Sequence, residues 1–191
     1  MQQQSWLATC VFAVIAFAGG YMAAWHAPAA GQGSRAEVGP DRAGRCFFSP
    51  RGGCTTAVVA EVAAAQHSIE LQGYSFTSEP IATALIQARR RGVDVRLLLD
   101  AAATGDDRRQ AIRAREAGAS VYLDGKHGLA HNKVILIDHR TLITGSFDFT
   151  AEAEDQNAEN VLILHDQPKL QSAYEENFQA HWAHGERFEG K

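Results

Sequence analysis

The sequence predicts an α/β fold in which a mixed β-sheet is flanked by helices, and three observations carry that expectation. Along residues 55–184 the apolar pattern switches repeatedly between the period of a helix and the period of a strand. Two short apolar runs, K-V-I-L-I-D at 133–138 and the L-I-T of 142–144, are joined by a turn at 138–141, and strands joined so tightly must be antiparallel. The 191 residues are 46% hydrophobic and 21% charged, enough for one domain with its own core and too little for two large ones.

Taken in order, residues 6–25 carry no charge and are long enough to cross a bilayer as a helix. Ala27-Pro28-Ala29 follows as a small-x-small cleavage site, so residues 1–29 read as a secretory signal peptide. The absence of Lys and Arg from residues 1–5 keeps an uncleaved membrane anchor open as the alternative. The first reading makes the protein periplasmic or secreted; the second ties it to the inner membrane. Residues 30–44, rich in Ala and Gly, read as a linker, and the folded part begins near Arg45. In an exported chain Cys46 and Cys54 would close a small loop worth about 2–3 kcal/mol, with two unpaired thiols as the alternative.

Residues 55–66 place Val58, Val59, Val62 and Ala63 at helical spacing, with Thr55 or Thr56 as the cap. A strand at 68–76 and a helix at 80–91 follow, the helix opened by Pro80 and stopped by Gly92. The run V-D-V-R-L-L-L-D at 93–100 is a strand, 106–117 a polar helix carrying Arg108, Arg109, Arg113 and Arg115, and 119–123 another strand. Beyond the 138–141 turn, N-V-L-I-L at 160–164 is a buried strand. Residues 168–184 close the chain as an amphipathic helix with Leu170, Tyr174, Phe178 and Trp182 as its core stripe.

The chemistry-bearing residues sit on the antiparallel pair. On a strand His131 and Lys133 share one face while Asn132 and Val134 take the other. An imidazole beside an ammonium suits an anionic substrate. The net charge of −4 gives no global basic field, so any polyanion must be met by a local patch. Arg89, Arg90 and Arg91 read either as a solvated helix end or, with the arginines of 108–115, as a polyanion track. His127 and His131 are four apart, but Gly128 argues against a helix that would make them a metal pair, and His165, His181 and His184 read as surface or helix-end residues. No metal or cofactor is expected.

The pattern H-x-K-x4-D, here His131, Lys133 and Asp138, followed by Gly145-Ser146, resembles the signature of the phospholipase D superfamily. The likeness extends over roughly residues 45–184 of a single catalytic domain at 45–191, through Tyr74-Ser75-Phe76-Thr77, Arg91-Gly92-Val93-Asp94-Val95 and Asn157-x-Glu159-Asn160, which are similar to the small, single-motif bacterial endonucleases of that superfamily. The resemblance implies a phosphodiesterase that cleaves DNA or RNA without a metal, His131 being the nucleophile, Lys133 and Ser146 holding phosphate oxygens, and Glu159 orienting the imidazole. It also implies a homodimer whose two-fold axis brings two copies of His131 into one site. Gly145, Asp148 and Asn157 line the substrate in this reading, and Asp138 holds the turn. A phospholipid headgroup as substrate, favoured if the N-terminal segment stays in a membrane, and an inactive nucleic-acid-binding module are the competing readings.

Elementary chemistry supports these roles. Phosphodiester cleavage needs a nucleophile, a proton for the departing oxygen, and donors for the nonbridging oxygens. One imidazole cannot attack phosphorus and protonate the group leaving on the opposite side. Asp148 departs from the family's G-S-x-N, since a carboxylate repels phosphate by roughly 4 kcal/mol at about 4 Å and an effective dielectric near 20. It must be turned away, protonated or engaged by Lys133.

Overall fold

The computed structural model describes residues 35–38, 44–102 and 104–190, so the apolar stretch 6–25 and its cleavage site lie outside the described residues. The β-branched and leucine runs form β1 (Arg35–Val38), β2 (Gly44–Phe48), β3 (Ser68–Gly73), β4 (Asp94–Asp100), β5 (Ser120–Asp124), β6 (Lys133–Ile137), β7 (Thr141–Gly145), β8 (Asn160–His165) and β9 (Glu186–Arg187). Among the described residues five helices separate them: α1 (Cys54–Ala64), α2 (Glu79–Arg90), α3 (Gly105–Glu116), α4 (Ala151–Asp155) and α5 (Pro168–Trp182). Among the described residues the strands make one sheet in the order β1-β2-β8-β7-β6-β3-β4-β5-β9. The β3–β4 and β4–β5 pairs, crossed over by α2 and α3, are parallel, and the remaining pairs are antiparallel, which is the mixed sheet the sequence predicts.

Side-chain alternation divides the core in two. Ile69, Leu71, Val95, Leu97, Ile135, Ile143 and Ile163 pack beneath α1, α2 and α3. On the other face Leu98, Val134, Leu136 and Leu142 meet Phe178, Tyr174 and Trp182 of α5. Leu170, expected in the same stripe, is 46% exposed because it lies in the first turn of α5, beyond that cluster. Burial under α5 pushes the Glu70 carboxyl up, an effect that its partner Arg96 opposes.

Several local expectations change once strand alternation and contacts between distant segments are in place. Arg35–Val38, within the stretch read as linker, pairs with β2. Cys46 and Cys54 are not joined: Phe47 faces the core shared with α1, where Cys54 is buried, so alternation turns Cys46 to the opposite face of the sheet. Neither Thr55 nor Thr56 caps α1; the Glu154 carboxylate of α4 accepts from Gly53 N (3.0 Å) and Thr55 N (2.7 Å) instead. Arg91 donates to the carbonyls of Val62, Ala63 and Ala65 at the other end of α1, and Arg89 to Gly118 O at 2.8 Å, so these two guanidinium groups serve the fold.

Asp138 lies in the turn between β6 and β7. It and His139 turn the β6–β7 hairpin with φ of 53° and 55°, a region that Asp and His enter more readily than most residues. Its carboxylate accepts from Gln66 N (2.8 Å), His67 N (2.7 Å) and Ser68 N (2.8 Å), tying the turn to the start of β3. Burial alone would raise its pKa, but these three N–H groups, with His67, hold it below the ordinary aspartate range. A lowered folded-state value means stability present above about pH 4 and lost as the pH falls through that value. Asp138→Asn is therefore expected to cost about 1–3 kcal/mol at neutral pH, and urea denaturation across the acid range should show a shallower loss of stability than in the wild type.

Candidate active site

The sheet topology collects one edge of chemistry. β3 and β4 end at Gly73 and Asp100, while β6 begins at Lys133 opposite Gly73. β7 ends at Gly145 opposite Val161, and β8 begins at Asn160 opposite Phe48. The carboxyl ends of the parallel strands therefore share an edge with the H-x-K segment, the place where open α/β sheets bind ligands.

His131 stands in the loop just before β6 rather than on the strand, and its side chain is exposed. It nevertheless meets Lys133, the first residue of β6, whose Nζ lies 3.1 Å from Nδ1, 3.0 Å from Nε2 and 3.2 Å from the His131 carbonyl. Lys133 is only 7% exposed, so its ammonium is presented at the base of the site and not waved in solvent. Tyr74, at the end of β3, packs its ring 4.6 Å from the imidazole and 5.1 Å from Nζ. The loop ahead of His131 is fixed by buried Asp100, whose Oδ2 accepts from Ala130 N at 2.6 Å. In the sequence neither Tyr74 nor Asp100 has a role of its own: Tyr74 belongs to the Tyr74-Ser75-Phe76-Thr77 likeness, and Asp100 closes the predicted strand at 93–100.

Ser146 follows β7. Its hydroxyl oxygen accepts from Asn160 N (3.1 Å) and Asn160 Nδ2 (3.2 Å), which leaves its own proton to donate to a phosphate oxygen. Gly145 is required for this approach, because a Cβ there would stand 2.1 Å from the Asn160 carbonyl oxygen. Asn157 donates through Nδ2 to Glu159 Oε1 at 3.1 Å, and the Glu159 backbone is locked to Ser49 on both sides. Within one chain Glu159 does not hydrogen-bond His131; among the described residues Asn157 is its side chain's hydrogen-bond partner. The tautomer-fixing role expected of Glu159 is thus unfulfilled inside the protomer, for β8 sets it beside Asn157 rather than beside the imidazole. Asp138 lies at the far end of β6, five residues of strand or about 16 Å from Lys133, and takes no part in the site.

Of the three arrangements open to Asp148, the structure has the one in which Lys133 engages it. Oδ1 lies 3.2 Å from Nζ, with side-chain exposures of 24% and 6%, and also accepts from Ser75 N at 3.4 Å. The carboxylate takes up part of the positive charge that a phosphate would otherwise use. Asp148→Asn keeps the shape and the Ser75 contact while releasing Lys133, so kcat/KM is expected to rise on the order of tenfold, about 1.4 kcal/mol, in steady-state phosphodiester cleavage. Among the described residues the grouping with metal-ligand geometry includes neither His131 nor Lys133; it lies at β5 and the end of α5.

Comparison with known proteins agrees with this geometry. The sequence model of the family described as "Cardiolipin synthase, PLD-like domain" matches residues 58–182. A phospholipase D of Rickettsia prowazekii is 42% identical over 131 residues, 69% of this chain and 63% of that protein's length. A mitochondrial cardiolipin hydrolase of Xenopus laevis is 33% identical over 125 residues, 65% of this chain and 59% of that one. The chain thus spans about three fifths of these two relatives. The crystal structure of Nuc from Salmonella typhimurium, a phospholipase D family member, superposes with a TM-score of 0.73 at 32% identity, over 81% of this chain and 99% of that chain. With His131, Lys133, Gly145 and Ser146 on one edge of this sheet and the family match spanning them, the chain belongs to the phospholipase D superfamily.

Proposed function

We propose that the protein is a metal-independent phosphodiesterase, most specifically an endonuclease acting on DNA or RNA through a phosphohistidine intermediate in a site shared by two copies of the chain. The observation that carries this reading is the exposed His131 imidazole held 3.0 Å from a buried ammonium. One His131 ring nitrogen attacks phosphorus, and the second copy's His131, protonated, gives its proton to the departing oxygen. Water then attacks the phosphohistidine, the second imidazole takes that water's proton, and the first His131 is regenerated. Lys133, the Ser146 hydroxyl and its neighbouring amide hold the nonbridging oxygens as charge builds on them.

Several features support the shared site. Among the described residues His131 is the imidazole that meets Lys133, and the Glu159 carboxylate, paired with Asn157 and not with His131 within the chain, is available to the second copy's His131. Leu129, 56% exposed, and Phe48, 40% exposed, flank the edge and offer apolar surface for the two-fold contact. A nucleic acid is favoured by the exposure of His131 and by α3, whose Asp107 accepts from Ser75 Oγ at 3.0 Å, so that Arg108 and Arg109 lie on an element anchored beside Tyr74. The names of the relatives favour a second reading, hydrolysis of a phospholipid headgroup at the same site.

Plasmid and single-stranded DNA are to be digested in excess EDTA beside phosphatidylcholine and cardiolipin assays, with the melting temperature followed in the same chelator. EDTA-resistant cleavage of DNA is expected. Turnover of lipid alone would establish the second reading, and cleavage abolished by EDTA in a protein whose melting temperature is unchanged would contradict metal independence.

A further inference from the structure

A second cluster of histidines lies outside the chemistry described so far. β5 ends at Asp124, whose side chain is fully buried, and the loop that follows it carries His127 before reaching His131. The last turn of α5 and its continuation carry His181 and His184, three residues apart and therefore on one face. Packing of α5 against β5 brings the pairs D-x2-H and H-x2-H together. His181 Nδ1 lies 2.7 Å from Asp124 Oδ2, His184 Nε2 3.2 Å from Oδ1, and His127 Nε2 3.8 Å from Oδ2. All four ligand atoms fall within 4.8 Å of one another.

Hydrogen bonding alone does not account for this arrangement. A buried carboxylate is satisfied by a few donors, and Asp124 already accepts from Lys126 N at 3.1 Å as well as facing His181 and His184. His127 is beyond hydrogen-bond distance yet its ring packs 4.8 Å from His181 and 5.3 Å from His184. Three imidazoles crowded on one carboxylate repel if all are protonated; if neutral, they offer three nitrogen lone pairs beside one negative oxygen. Zinc bonds of about 2.0–2.1 Å at tetrahedral angles separate the donors by about 3.4 Å; the nitrogen-to-carboxylate separations of 2.7–3.8 Å bracket that value, and the whole set, within 4.8 Å, needs only a small contraction to meet it. Three nitrogens and one oxygen form a borderline donor set that suits zinc and not magnesium or calcium.

We propose that Asp124, His127, His181 and His184 form a structural zinc site that clamps the end of α5 to the loop leading into His131. Four protein ligands fill a tetrahedral ion, so the site holds structure and does not activate water. Its effect on the active site is to fix the segment between Asp124 and Ala130, which Asp100 secures from the other end.

The test uses the full chain made without a polyhistidine tag. After stripping with chelator, zinc is titrated against a chromophoric competitor, bound metal is counted per chain, and melting temperature is followed with and without zinc. One zinc per chain and a zinc-dependent rise in melting temperature are expected. His184→Asn keeps a donor to Asp124 but is a poor zinc ligand, and the largely exposed His127→Ala removes a ligand without opening the core. Each should weaken zinc binding by more than the roughly 10- to 100-fold that loss of an outer-shell partner costs and abolish the thermal shift, with circular dichroism of the metal-free variants matching that of the metal-free wild type. Substoichiometric zinc, or both variants binding zinc as the wild type does, would overturn the proposal. Retention of copper or nickel but not zinc would overturn the assignment of the metal.

Discussion

His131→Ala is expected to lower kcat by at least about 10,000-fold, since in the proposed shared site it removes the nucleophile from one copy and the general acid from the other. The side chain is exposed, and its contacts are with the ammonium of Lys133 and the ring of Tyr74, so the fold should lose no more than about 0.5 kcal/mol. The pair of results separates catalysis from stability. Sedimentation should find the variant in the same oligomeric state as the wild type, and cleavage at the wild-type rate would refute the assignment.

Lys133→Met is expected to lower kcat by about 100- to 1,000-fold, the loss that follows removal of one charge-stabilising donor from a preorganised site. Unlike His131, Lys133 is buried and balances the Asp148 carboxylate, so its loss should also cost about 1–3 kcal/mol by leaving a partly buried charge unpaired. Lys133→Met combined with Asp148→Asn should recover most of that stability and none of the activity, because the two side chains are in contact and their effects on folding are coupled. A double variant as unstable as the single one would mean that Asp148 is held by something other than Lys133. Arginine is no substitute here, since its planar fork does not fit the space of a compact ammonium against the imidazole.

Much of this site is legible in the chain because its residues are close in sequence. His131 and Lys133 are two apart, Gly145 and Ser146 adjoin the next strand, and the turn at Asp138 is short. The strand period and the tight turn fix where they go, even though His131 proves to stand one step outside the strand. The β3–β4–β5 crossover units are legible for the same reason: alternating apolar periods and Gly stops at 92 and 118 mark their ends.

What escapes the sequence depends on contacts between distant segments. Glu154 caps α1 across about a hundred residues, a partnership that no local pattern announces. Asp124 and His184 are 60 residues apart, and only the docking of α5 on β5 turns helix-end histidines into a ligand set. Cys46 and Cys54 are close in sequence, yet the alternation of β2 sends them to opposite faces. Glu159 illustrates a different limit: a family role can be read for it, but within one chain its carboxylate meets Asn157 rather than an imidazole, and only the proposed pairing of two copies would supply one.

The proposed shared phosphohistidine site is tested most directly by quenching the enzyme in alkali during turnover of a DNA substrate and mapping adducts by mass spectrometry. The expected result is a phosphoryl-linked substrate fragment on His131, in no more than one chain of each pair. An adduct on any other residue, or steady turnover with His131 never modified, would contradict it.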